Sequence, residues 1–224
     1  MLDLSRQAAD LMEPAMLILL SVACAVAATR IGGRVLRREE REVVARKQPA
    51  ALAAVAGFVA AELAAPGSAV PMAVLAGLLS ALAAIDLAAF RLPDILTLPL
   101  LLFSAFFSPM EATSSLGGMV FAAGLLGGLS MLFRQARGYD GLGFGDVKMA
   151  AGCGAWIGVG GVGPLLLVAA VTALAAVATQ RALASTAGAS PAGITPGRLA
   201  VPFGPFLALA TLVVSVSQAQ GLLP

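Results

Sequence analysis

Gly143-Phe144-Gly145-Asp146-Val147-Lys148 leads into a charge-free run from Met149 to Gln180, and the reading of that junction decides the fold. About 20 apolar residues cross hydrocarbon as one helix, so this run is too long for a single ordinary span. Its centre, Gly158-Val159-Gly160-Gly161-Val162-Gly163-Pro164, combines permissive backbone with a helix breaker. Two helices joined by a tight turn are expected. Outward from there, Pro14 to Thr29, Leu63 to Ile85, Ala112 to Phe133 and Leu199 to Pro224 are also free of charge. With 59% hydrophobic and 12% charged residues in 224, the chain reads as an all-α polytopic membrane protein. About eight transmembrane helices are expected, near 13–29, 49–65, 70–88, 95–108, 115–133, 147–160, 163–181 and 200–221. Residues 1–48 form an N-terminal anchor helix and a short basic cytoplasmic loop, and residues 49–224 form the membrane-embedded domain that holds the chemistry.

Charge fixes the orientation. An N-out, C-out arrangement places thirteen of the fourteen Lys and Arg residues in cytoplasmic connections and only Arg6 outside. The opposite arrangement reverses nearly all of them, against the positive-inside rule. Asp3, Asp10 and Glu13 outnumber Arg6 ahead of the first apolar run, which fits an N-out anchor better than a cleaved signal peptide. The polar stretch Arg30 to Gln48 reads as a solvated loop. The lipid bilayer is the expected environment, and no nucleic-acid partner is expected.

What the chain lacks narrows its chemistry. It has no histidine, which removes Ser-His-Asp and Cys-His triads and histidine-ligated metals. Cys24 and Cys153 form no CxxC pair and read as packing residues. No Gly-x-x-x-x-Gly-Lys phosphate loop occurs. Neither a metal nor a cofactor is expected.

Ionisable side chains at membrane depth are costly and point to function. Most of the twelve acids sit in polar termini or loops. Glu62, near an outer helix end, has an interfacial reading. Asp86, Asp94, Asp140 and Asp146 all fall at the cytoplasmic ends of expected spans. Asp140, in Gly138-Tyr139-Asp140-Gly141, reads as a turn residue. Asp94 follows Arg91-Leu92-Pro93 and reads as a helix cap or a structural partner. Lys148 reads as a cytoplasmic anchor or as a residue that orients the site. The glycines of Ala112 to Phe133 read as packing surfaces. Asp86 lies within the last turns of its helix, and Asp146 opens the next long span after Gly143 and Gly145. Two facing carboxylates can share a proton, one activating water while the other donates to a substrate carbonyl oxygen. That is aspartic peptidase chemistry, and it requires neither histidine nor metal.

Asp86 with Arg91-Leu92-Pro93-Asp94-Ile95-Leu96-Thr97, and Gly143-Phe144-Gly145-Asp146-Val147-Lys148, resemble the two aspartate blocks of the type IV prepilin peptidase family. Ala155-Trp156-Ile157-Gly158 and Val201-Pro202-Phe203-Gly204-Pro205-Phe206 also resemble family segments. The resemblance implies a membrane aspartic endopeptidase of the bacterial inner membrane. Asp86 and Asp146 would be its catalytic pair, supported by Gly143, Gly145, Lys148, Arg91 and Asp94. Its substrates would be prepilins or pseudopilins, cut at the cytoplasmic face, and its partners would include pilus-assembly or type II secretion components. Bifunctional members carry a cysteine-rich cytoplasmic module and also N-methylate their product. Arg30 to Gln48 is short and cysteine-free, so the resemblance is to a short form and leaves methylation open. The alternative reading is a proton- or cation-coupled transporter that uses the same carboxylates.

Overall fold

The computed structural model describes residues 19–36, 69–137, 143–186 and 202–223, and every regular element among them is helical. Helices satisfy their own backbone hydrogen bonds, which lipid cannot do for them. Helix α1 spans Leu19–Gly32 and closes in a 3-10 turn at Gly33–Val35. It is followed by α2, Ala69–Ala89, and α3, Asp94–Phe107. Helix α4 spans Ala112–Arg137, α5 spans Phe144–Thr186, and α6 spans Gly204–Ala219. Over Val70–Ala89, Ala112–Ala136 and Phe144–Ala182, three of the six are long and apolar enough to cross a membrane. The all-helical expectation holds. The expected span 49–65 and the residues Glu62 and Asp140 lie outside the described residues.

Helix α2 is apolar on all sides and is buried accordingly, with Leu75, Ala76, Leu79, Leu82 and Ile85 fully enclosed. Glycine at 77 brings α1 against it, because a Cβ there would lie 2.7 Å from the Ser21 carbonyl oxygen. By contrast α4 exposes Val120, Leu129, Met131 and Leu132, an apolar outer surface that suits lipid. Its inner face meets α5 through small residues. A side chain at Gly118 would strike the Gly154 backbone, and one at Gly154 would strike Gly118 and Ala122. In lipid, such close backbone approach supplies the van der Waals contact that drives helix association. The packing role expected of the α4 glycines is tightest at Gly118; a Cβ at Gly117 or Gly127 would lie at ordinary contact distance from Val159 or Val147 of α5, and one at Gly124 or Gly128 would meet nothing within 4 Å.

The expected turn inside the long apolar run is localised to Gly158, whose φ of 73° and ψ of 171° break α5. Pro164 lies within the helix that resumes after the break rather than ending it. The break removes partners from the carbonyls of the preceding turn, and buried carbonyls need replacements. Three side chains supply them. Ser115 Oγ donates to the Ala155 carbonyl at 2.7 Å, Ser108 Oγ to Trp156 at 2.8 Å, and Gln218 Nε2 to Ile157 at 3.0 Å. On the other side of the break, the Val159 N–H donates to Ser114 Oγ at 3.3 Å. Helices α4, α5 and α6 and the α3–α4 connection are thereby tied together at one level.

Only glycine adopts the Gly158 backbone without strain, and a Cβ there would sit 2.5 Å from Ser114 Oγ. Gly158→Ala is therefore expected to cost about 2 kcal/mol or more, read as a lower thermal midpoint and a smaller monodisperse fraction in detergent. Gly163→Ala, which meets nothing within 4 Å, serves as the control and is expected to leave both unchanged or improved.

Candidate active site

Asp86 stands in the last turn of α2 and is 4% exposed. Taking a carboxylate out of water is costly unless donors replace the lost hydration. The donor here comes from α6. The Gly204 N–H, first in its helix and without an intrahelical acceptor, donates to Asp86 Oδ2 at 2.8 Å. Residue 204 must be glycine for this contact, because a Cβ would lie 2.9 Å from Oδ2 and 3.2 Å from Cγ. Pro205 then occupies the second helical position, where its missing N–H costs nothing.

Asp146 is the third residue of α5 rather than its cap. Its carboxylate reaches back to the Gly143 backbone amide, one half of a capping box. A side chain at Gly143 would crowd the same carboxylate, with Cβ 3.2 Å from Oδ2. Among the described residues, nothing hydrogen-bonds Asp146 Oδ1, although that atom is buried. An unmade bond of this kind costs about 1–3 kcal/mol, and such an atom asks for a functional explanation. The Asp146 carboxylate thus has one bond to backbone at the helix start and one buried oxygen without a partner among the described residues.

Both carboxylates line one cavity of about 430 Å³, within the size range of ligand sites, and they are close enough to interact electrostatically. One wall runs from Phe90 to Pro93 and the other from Gly143 to Asp146, with Leu36 completing the lining. The walls are joined by one close contact and one exposed ion pair. Gly145 packs on Leu92, where a Cβ would be 2.8 Å from Leu92 Cβ. Lys148 Nζ pairs with Asp94 Oδ1 at 2.6 Å and also lies 4.9 Å from the centre of the Phe144 ring. Asp94, the first residue of α3, is therefore a structural partner of α5. An exposed pair of this kind contributes only about 0.2–1 kcal/mol to stability. Arg91 lines the cavity and is exposed. Asp86, Asp146, Gly143, Gly145 and Arg91 all line the cavity, while Asp94 and Lys148 brace it from outside. Among the described residues, no three acidic, histidine or cysteine side chains gather as metal ligands do.

Six residues of the site escaped sequence reasoning as site residues, Leu92 and Pro93 of the cavity wall among them. Gly204 carried a readable signal, since Pro202-Phe203-Gly204-Pro205 marks a helix start, but nothing in sequence aims that start at Asp86. Leu36 lies in a stretch read as a solvated loop, yet it is only 7% exposed. Phe90 has φ 51°, a left-handed conformation that costs a bulky residue about 1–2 kcal/mol. It ends α2 by donating its N–H to the Asp86 carbonyl at 2.9 Å. Phe144 is 72% exposed although it opens a spanning helix. Cys24 and Cys153 take packing positions, and Cys153 is fully buried.

Residues 73–178 match the model of the type IV leader peptidase family. The chain is 37% identical over 144 residues to a prepilin leader peptidase/N-methyltransferase of Burkholderia pseudomallei, covering 58% of this chain and 40% of the relative. A protein of the same name from Xanthomonas campestris pv. campestris is 34% identical over 145 residues, covering 63% and 47%. One from Dickeya chrysanthemi is 39% identical over 105 residues, covering 45% and 37%. The chain spans less than half the length of these relatives. No solved structure matches it. The stretch from residue 73 to 178, which holds both aspartates and the residues that join their walls, matches the type IV leader peptidase family.

Proposed function

We propose that this protein is a membrane aspartic endopeptidase that removes the leader peptide of type IV prepilins or pseudopilins at the cytoplasmic membrane face. The observation that carries the proposal is the meeting of Asp86 and Asp146 at one cavity, within the stretch that matches leader peptidases. The pair works as a unit that holds one proton between two carboxyl groups. The ionised carboxylate takes a proton from water as the water oxygen bonds to the scissile carbonyl carbon. The protonated carboxyl gives its proton to the carbonyl oxygen, yielding a gem-diol. Collapse of the gem-diol breaks the C–N bond as a proton passes to the nitrogen, and the dyad returns to its starting state. The Gly204 N–H orients Asp86, and the Gly143 amide orients Asp146.

The same proposal places the chain in the bacterial inner membrane with about eight spans, N-out and C-out, so that the basic residues Arg30, Arg34, Arg91 and Lys148 share the side of the dyad. Residues 1–48 act as anchor and basic loop, and residues 49–224 as the peptidase region. Leu36 lends the first of these a share of the cavity wall. Pilus-assembly or secretion components are its proposed partners. The relatives' names include N-methyltransferase, but the proposal extends to the peptidase step alone. The transporter alternative finds no support in those relatives.

Asp86→Asn and Asp146→Asn each keep an oxygen acceptor for the amide that holds them, so both are expected to fold. Each should lose roughly 10²–10⁴-fold in cleavage rate, read as disappearance of the leader-sized mobility shift when a prepilin is co-expressed, with extracted enzyme yield unchanged. Cleavage retained in either variant rules out the dyad. The pH profile of kcat should be bell-shaped, falling on the acid side when both carboxyls are protonated and on the alkaline side when both are ionised. Gly204→Ala should displace the Asp86 carboxylate and lower kcat on the order of 10²-fold with KM little changed, as measured by steady-state kinetics on a prepilin peptide.

A further inference from the structure

The cavity is not lined evenly. Beside the two carboxylates and Arg91 its side chains are apolar, and two of these, Phe90 and Phe144, are aromatic residues that folding alone does not explain. Phe90 is 55% exposed and holds a left-handed backbone that glycine would adopt without strain. Phe144 is 72% exposed at the first position of α5. Both border the space that holds Asp86 and Asp146. They come from different segments of the lining, Phe90 from the α2–α3 connection and Phe144 from the start of α5.

Phe144 is also held from behind. Lys148, one helical turn on, has its ammonium 4.9 Å from the ring centre, a cation–π contact. That ammonium is itself fixed by Asp94 at 2.6 Å. The chain of contacts runs from the first residue of α3, through Lys148, to a ring at the cavity. Since the exposed ion pair adds little to stability, its useful product is the position of the ring.

Resting on the proposed peptidase activity, we propose that Phe90 and Phe144 are binding walls that seat the extended peptide across the dyad, and that Asp94 and Lys148 are positioning residues that set the Phe144 ring. The walls grip the segment around the scissile bond through apolar contact and leave its carbonyl facing the carboxylates. Their contribution is to substrate binding and to the register of the scissile bond, while proton transfer stays with the aspartates.

The test uses the full-length protein in detergent with a fluorescein-labelled prepilin peptide that spans the leader junction and the first residues of the pilin helix. KM and kcat are measured on the active chain, and Kd by anisotropy in the Asp146→Asn background. Phe144→Ala should raise KM and Kd about 10-fold or more with kcat within about 3-fold, and Phe144→Tyr should restore binding. Lys148→Met and Asp94→Asn should shift KM in the same direction by a smaller factor. Lys148→Arg, which keeps both the charge and the ring contact, should restore it. Lys148→Met added to Phe144→Ala should have no further effect, because its action passes through the ring. Phe90→Gly should weaken binding while leaving the thermal midpoint unchanged or raised, an outcome that a purely structural role for Phe90 would reverse. Unchanged KM and Kd in Phe90→Gly and Phe144→Ala overturn the proposal, as does full additivity of Lys148→Met with Phe144→Ala. If the wild type binds the peptide without cutting it, the peptidase reading fails and the Kd series alone decides the binding walls. If it neither binds nor cuts, both fail.

Discussion

A carboxylate buried in an apolar helix bundle is tolerable only where fixed donors stand in for water, and the bond from the Gly204 N–H to Asp86 Oδ2 is the clearest instance here. The donor costs little to supply, because the first amides of any helix lack intrahelical partners. It also imposes geometry. Asp86 lies in the last turn of α2 and Gly204 begins α6, so these two helix ends must meet at the same depth. Asp146 obeys a similar rule at the start of α5, where Gly143 supplies the amide. Each aspartate thus has one oxygen held by backbone at a helix terminus. The helix ends, rather than any loop, decide where the carboxylates point.

That arrangement depends on α5 being held in place, and the break at Gly158 helps hold it. An uninterrupted helix would satisfy its own carbonyls and need nothing from its neighbours. By opening the ladder, Gly158 obliges Ser108, Ser115 and Gln218 to supply donors, each drawing another segment to α5. The Gly118–Gly154 approach adds close packing on the same part of the helix. The site end of α5 is fixed separately, by Gly145 on Leu92. Positional precision at the carboxylates therefore comes from both ends of the first half of α5.

Much of this was legible in the sequence for a simple reason: charge is rare in apolar runs, so Asp86 and Asp146 could be singled out and assigned a common depth. The helical architecture followed from the lengths of those runs. Gly143 and Gly145 were legible as close-approach residues, though their separate targets, Asp146 and Leu92, were not. The break in α5 was visible as a glycine-rich patch, but Pro164 drew the reading too far along. A proline that costs one backbone bond is tolerated inside an apolar helix, whereas only glycine could adopt the backbone at 158. Gly204 and Asp86 are paired across 118 positions, and no periodicity reports such a contact. Phe90 was invisible because its left-handed backbone is unusual for phenylalanine, and Leu36 because its polar neighbours masked it.

Direct evidence for the facing aspartates would come from a chain with Cys24→Ser and Cys153→Ser that also carries Asp86→Cys and Asp146→Cys, treated in membranes with a short bifunctional thiol reagent. The account predicts one reagent per chain, joining the two positions, with each single-cysteine variant taking up a monofunctional label normally. Two separately capped thiols and no bridge would contradict it, because the carboxylates that the structure brings to one cavity would then not face each other in the membrane.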